Sequence, residues 1–162
     1  RLDPESRRLR FCAAANDSFI ESYCETLRRV PTLVHGFFVD DDLRAAAELR
    51  PILDGWPVVA EAAFSVEREW QDSGIGTELL DRTLRSARNR GVSTLYMVCL
   101  RENARMQSLA RKFDAEIHFE QGEIAGTVDA SAVDVFSLLR ESLEDGQALV
   151  TALIENSFRT RA

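Results

Sequence analysis

The sequence predicts a single α/β domain on three observations. β-prone runs alternate with amphipathic helical stretches, a glycine-bearing turn joins one such run to a long helical pattern, and 162 residues at 45% hydrophobic content suffice for one core. The turn, Gln71-Asp72-Ser73-Gly74-Ile75-Gly76-Thr77, organises the rest. A strand that runs through glycines into a helix aims several unpaired backbone N–H groups, and the positive end of the helix dipole, at one point. That arrangement suits a phosphate.

The elements follow in order. Asp3-Pro4-Glu5-Ser6 places an N-cap before a proline at the first helical position, so a short helix opens within Arg1 to Arg10. Asn16-Asp17 caps a second helix, whose Phe19, Ile20, Tyr23, Cys24 and Leu27 recur at helical spacing ahead of Pro31. Thr32 to Val39 is rich in β-formers and ends in the polar turn Asp40-Asp41-Asp42. The alanines of Leu43 to Ile52 suit a helix, but the short preceding turn makes a hairpin and Pro51 would cut a helix short, so a strand is expected.

After Asp54-Gly55 and Pro57, Val58 to Glu69 reads as a third strand, with Ala62, Phe64 and Val66 on one face and Glu61, Ala63, Ser65 and Glu67 on the other. Ile75, Leu79, Leu80, Leu84 and Ala87 form the buried stripe of the next helix, which Asn89-Arg90-Gly91 stops. Val92 to Leu100 is a continuous β-prone run of the kind covered on both faces, completing a βαβ crossover. Asn103 to Phe113 is a short helix with Met106, Leu109, Ala110 and Phe113 inward, and Ala115 to Phe119 with Glu123 to Val128 forms a last hairpin. Ala132 to Leu143, capped by Ser131, and Gln147 to Phe158 read as closing amphipathic helices. Residues 1–130 are therefore expected to form the domain, and residues 131–162 a helical extension packed on it or on a second copy in a homodimer.

The formal charge of −7 argues against a broad nucleic-acid-binding face and favours a cationic partner, which Asp40-Asp41-Asp42 could help recruit. Cys12, Cys24 and Cys99 fit neither a disulfide framework nor a metal site, and His35 and His118 lack a metal-spaced partner, so no metal is expected. No apolar run approaches the roughly 20 residues of a membrane span, and the N-terminal layout is not that of a signal peptide, so a soluble, cytoplasmic protein is expected. The chain opens at Arg1 without an initiator Met, which leaves room for a first strand upstream.

The loop is neither a Walker A motif, since no Gly-Lys-Ser/Thr opens the helix, nor a dinucleotide fingerprint, since Leu79 stands where the third glycine belongs. Gln71-x-x-Gly74-x-Gly76 instead resembles the Arg/Gln-x-x-Gly-x-Gly/Ala pyrophosphate loop of the GCN5-related N-acetyltransferases (GNATs). Glu61 to Val66 is similar to that family's fourth strand, Gly91 to Leu95 to the lead into its fifth, and Asn103 to Phe113 to the following helix. Pro4 to Phe11 also resembles a segment near the start of some bacterial members. The resemblance implies a mixed, mostly antiparallel sheet with a central splayed parallel pair and helices on both faces. It implies acetyl-CoA as the donor and direct acyl transfer to an amine of a small molecule or peptide; the charge and the lack of a long apolar run add the expectation of no nucleic-acid or membrane partner.

On this resemblance the backbone of Gln71, Asp72, Ser73, Gly74, Ile75, Gly76 and Thr77 holds the pyrophosphate, Val66 and Glu67 flank the thioester, and Asn103 contacts the donor. Glu61 is the leading base and Glu67 the second, while the Val66 N–H polarises the carbonyl. Ala110 occupies the position where many members carry a tyrosine acid, so the thiolate leaves unaided, another group such as Tyr96 or Cys99 helps, or catalysis is weakened. That departure keeps open an alternative, a non-catalytic acyl-CoA-binding sensor. Trp56 and Trp70 flank the fourth-strand segment and are read as packing residues that could line a substrate cleft.

Overall fold

A computed structural model describes residues 1–53, 58–120, 123–130, 141 and 143. Trp56 and almost all of the two expected C-terminal helices lie outside the described residues.

Helix α1 (Pro4–Phe11) starts where the Asp3 carboxylate accepts from the amides of Glu5 and Ser6, both at 3.1 Å, with Pro4 at its first position. In α2 (Asp17–Leu27) the Asn16 side chain accepts from the Phe19 amide. Strands β1 (Leu33–Val39) and β2 (Asp42–Leu53) meet at Asp40 and Asp41, whose φ values of 50° and 64° form a tight hairpin turn that aspartate tolerates. This hairpin overrides the helix propensity of the alanines in β2. Ala45, Ala47 and Leu49 are buried on one face, while Arg44, Glu48 and Arg50 alternate with them on the other.

Strand β3 (Val58–Val66) ends three residues before the expected Glu69, because the Trp70 amide bonds to the Glu67 carbonyl at 2.9 Å and closes a 3₁₀ turn over Arg68–Trp70. The chain continues through α3 (Ile75–Asn89), β4 (Val92–Leu100), α4 (Ala104–Lys112), β5 (Glu116–Glu120) and β6 (Glu123–Asp129). The sheet order is β1-β2-β3-β4-β6-β5, antiparallel throughout except for β3 and β4.

Helices cover both faces. On one, Leu80, Leu84 and Ala87 of α3 and Ala110 of α4 share a core with Ala60, Ala62, Leu95 and Met97. On the other, Arg10 of α1 and Tyr23 of α2 reach Glu48 of β2. At the far end of α3, Glu141 accepts from Ser86, Asn89 and Arg90, and His35 bonds to the same Ser86 hydroxyl at 3.1 Å, a structural position for that histidine.

The sheet is incomplete at its centre. β3 and β4 pair only from Val58↔Val92 to Glu61↔Tyr96, although β3 runs on to Val66 and β4 to Leu100. Beyond Glu61 the two strands separate, and two three-stranded antiparallel halves share a fork.

Candidate active site

The fork opens into a cleft of about 770 Å³. One wall is β3 from Glu61 to Val66, and the other carries Val98 and Cys99 of β4 and the cleft-facing residues of α4. α1 and α2 close one end with Leu9, Arg10, Phe11 and Tyr23.

The backbone of β3 is the first functional element. The Glu67 amide donates to the Arg44 carbonyl at 3.0 Å, so the odd-numbered groups of β3 face β2, and by alternation those of Ala62, Phe64 and Val66 face the cleft. The Glu61↔Tyr96 bridge uses the Ala62 N–H; beyond it no strand among the described residues takes up these groups, and Gln71 Nε2 satisfies only the Val66 carbonyl, at 3.0 Å. An extended ligand with amide groups can complete the ladder.

At the open end the turn delivers the helix terminus. Gly74 adopts φ 90°, a left-handed conformation that glycine enters without strain, and a Cβ there would meet nothing within 4 Å. Its carbonyl accepts from the amides of Thr77 and Glu78 at 3.0 and 3.1 Å, which starts α3. The amides of Gly74, Ile75 and Gly76 have no partner among the described residues. Gln71, Asp72, Gly74, Gly76 and Thr77 line the cleft. The Ser73 hydroxyl instead donates to the Trp70 carbonyl, and Ile75 packs against the core, so these two offer backbone alone.

Two cations stand beside this terminus. Lys112, the one lysine in the chain, places Nζ 3.4 Å from the Thr77 hydroxyl, and Arg105 pairs with Asp72 at 2.9 Å. Both partners of the second pair are largely exposed, so the bridge is weak and Arg105 is available to an arriving anion. Unpaired N–H groups, close-approach glycines and mobile cations are a donor set that fits a pyrophosphate.

Glu61 sits at the fork point, opposite Arg50 on β2, and accepts from Arg50 Nη2 at 2.5 Å. Behind it the Tyr23 hydroxyl donates to Glu48, which also pairs with Arg10 at 3.0 Å. Burial first, and then the bond to Glu48, raises the Tyr23 pKa above the ordinary phenol value. Arg10, Tyr23 and Arg50 escaped the sequence reading. The charges of β2 do recur with period two, but which of them opposes Glu61 depends on strand register.

Glu67, read as the second base, lies apart from Glu61. Six residues beyond Glu61, it is about 20 Å further along the chain, and it lines a separate recess with Arg1, Arg44 and Ser65. Burial favours its neutral form, but hydrogen bonds from Arg44 and Arg1 outweigh that and hold the carboxyl below its usual range. Its side chain is absent from the cleft that holds Glu61.

Asn103 lines the cleft, but its side-chain oxygen caps α4 by accepting from the Met106 amide at 3.1 Å. Ala110 is buried in the core, and a Cβ added at Gly126 would lie 3.6 Å from its own. Of the two substitutes named for the missing tyrosine, Cys99 lines the cleft and Tyr96 does not. Trp70 both lines the cleft and packs on Phe37, ring centroids 6.0 Å apart.

Residues 4–115 match the Acetyltransferase (GNAT) family. The chain belongs to this family. The described structure resembles the GNAT domain of PAT from S. lividans, with TM-score 0.66, 21% identity, and 79% of this chain and 78% of that one covered. It also resembles yncA, titled a putative acetyltransferase, from Salmonella typhimurium, solved with acetyl-CoA (TM-score 0.58, 16% identity, coverage 75% and 80%). A third GNAT relative in fold is the paia N-acetyltransferase of Thermoplasma acidophilum, solved with coenzyme A (TM-score 0.58, 18% identity, coverage 78% and 87%). No protein of curated function matches the sequence. Among the described residues no helix is long and apolar enough to cross a membrane, and no group of His, Cys, Asp and Glu could hold a metal ion.

Proposed function

We propose that this GNAT-family chain is an acetyl-CoA-dependent N-acetyltransferase that transfers the acetyl group directly to an amine. One observation carries the reading: the β3/β4 fork exposes backbone groups for an extended arm, ends at a glycine-bearing helix N-terminus, and has a carboxylate at its apex. Acetyl-CoA supplies an activated thioester carbonyl. The amides of Gly74, Ile75 and Gly76, with Lys112 and Arg105, hold the anionic end, and the cleft-facing Val66 N–H and Phe64 carbonyl hold the arm.

The Phe64 N–H, the cleft-facing donor nearest Glu61 that β4 does not use, is the donor for the carbonyl oxygen. Glu61 takes the proton from the amine, directly or through one water. Glu67, clamped by two arginines in another recess, anchors the end of β3. No residue at position 110 returns a proton to sulfur, so Cys99 or solvent does so.

Acetyl-CoA turnover with a panel of amines tests the reading, and Glu61→Gln is expected to lower kcat by about 10²- to 10⁴-fold. Full activity in that variant would remove Glu61 as base. Ala110 favours the second reading, a non-catalytic acyl-CoA-binding module, for which CoA would bind with no amine turned over. Calorimetry showing no heat with CoA would eliminate both. The extension at residues 131–162 is proposed to pack on the domain or to join two copies, which light scattering distinguishes.

A further inference from the structure

Arg50 and Glu61 are each only half used. They face one another across β2 and β3, both line the cleft, and their side chains are 33% and 28% exposed. Arg50 gives one nitrogen to one Glu61 oxygen. Its Nε and Nη1, and the second Glu61 oxygen, have no hydrogen-bond partner among the described residues. Glu48 does not take them up, being held by Tyr23 and Arg10. A planar guanidinium fork and a carboxylate oxygen thus stand side by side with their remaining valences turned to the cleft.

The pair also poses a problem for catalysis. While Arg50 Nη2 occupies one Glu61 oxygen, that oxygen is closed to an ammonium proton. An acceptor amine with no anion of its own leaves that clamp in place. An acceptor carrying a carboxylate near the amine supplies a new anion to the Arg50 fork, draws it from Glu61, and frees the base beside its own ammonium group.

Resting on the acetyltransferase reading above, we infer that the acceptor is a zwitterion, an α-amino acid bound with its carboxylate on Arg50 and its amine on Glu61. One ammonium proton passes to Glu61 and on to solvent. The amine lone pair then forms the C–N bond to the thioester carbon, the C–S bond breaks with its electron pair leaving on sulfur, and the second nitrogen proton ends on the CoA thiol. The products are an N-acetylamino acid and CoA.

The test is titration calorimetry of the CoA-loaded protein with the free L-amino acids, their α-carboxamides, and an Nα-acetyl-lysine amide, followed by kcat/KM for the same compounds with acetyl-CoA. The expected result is an amino acid that binds about 10- to 100-fold more tightly than its amide, the size of a lost charged hydrogen bond. Arg50→Met should abolish that ratio and Arg50→Lys restore part of it, with CoA heat on each variant showing that it is folded. Equal binding of acid and amide, preference for the lysine compound, or binding of no amino acid overturns the inference. Absence of CoA heat in the unmodified protein overturns the underlying reading instead, so the two failures are distinct.

Discussion

Replacing Gly76 by alanine should move stability and ligand affinity in opposite directions. Gly76 lies in the first turn of α3 and is not among the glycines with positive φ. A Cβ there would meet only Leu109 Cδ2, at 3.7 Å, an ordinary van der Waals contact. The ligand-free protein therefore pays no strain and gains the helix preference of alanine over glycine, about 0.5–1 kcal/mol in a helix interior and less at its end. For a chain of this size that raises Tm by about 1–3 °C. In the proposed function the same methyl stands where the pyrophosphate approaches the main chain. Losing one charged hydrogen bond costs about 1.5–3 kcal/mol, or about 10- to 100-fold in affinity. Thermal melts without ligand and calorimetry with CoA measure the two effects on one variant. CoA affinity equal to that of the parent would refute the placement of the anion at this turn.

The part-buried Arg10–Glu48 pair, with side chains 10% and 14% exposed, should make Glu48→Gln costly. Arg10 keeps its bond to the Tyr23 hydroxyl but loses its counter-charge, so a denaturant melt should show a loss of about 1.5–3 kcal/mol, the size of a charged hydrogen bond. Lys112→Met should weaken CoA binding several-fold at low salt and less at high salt, because an exposed cation acts through a screened field. Asp3→Ala should cost about 1 kcal/mol through the lost cap of α1, seen as a fall in Tm of about 2–4 °C. The Ser6 hydroxyl and then its amide hold the Asp3 carboxyl below the ordinary range, so its contribution is present above the unfolded pKa near 4 and is lost as pH falls through the lower folded value. Asp3→Asn should keep the cap and flatten that acid limb.

Where the determinants are local, the sequence was a reliable guide. The α1 and α2 caps, the Asp40-Asp41 turn and the glycine loop each act over a few residues, and each stands where expected. Leu43 to Ile52 could be read as helix or strand from its alanines, and the turn beside it settled the matter because a hairpin constrains both arms. The cleft floor was less legible. Arg50 opposes Glu61 through a register fixed by a whole hairpin, with an irregularity between Pro51 and Leu53. The surroundings of Glu67 were hidden for a related reason: face alternation says which way a side chain points, and nothing about which distant residues meet it. The tie of Arg1 and Arg44 to Glu67 joins residues far apart in the chain, which no local pattern announces.

The central fork gives the sheet an interior edge. An unpaired strand edge invites pairing with other chains, and proteins commonly blunt or cover it. Here the unpaired edge, from Ala63 to Val66, is sunk between two halves of the molecule, so it can be left open without serving as a template for aggregation. It should also leave a footprint in amide hydrogen exchange. The Phe64 and Val66 amides lack a strand partner among the described residues and should exchange much faster than those of Ala63 and Ser65, which are bonded to β2. When an extended ligand occupies the fork, that alternating pattern should vanish, and the two halves should exchange as one continuous sheet.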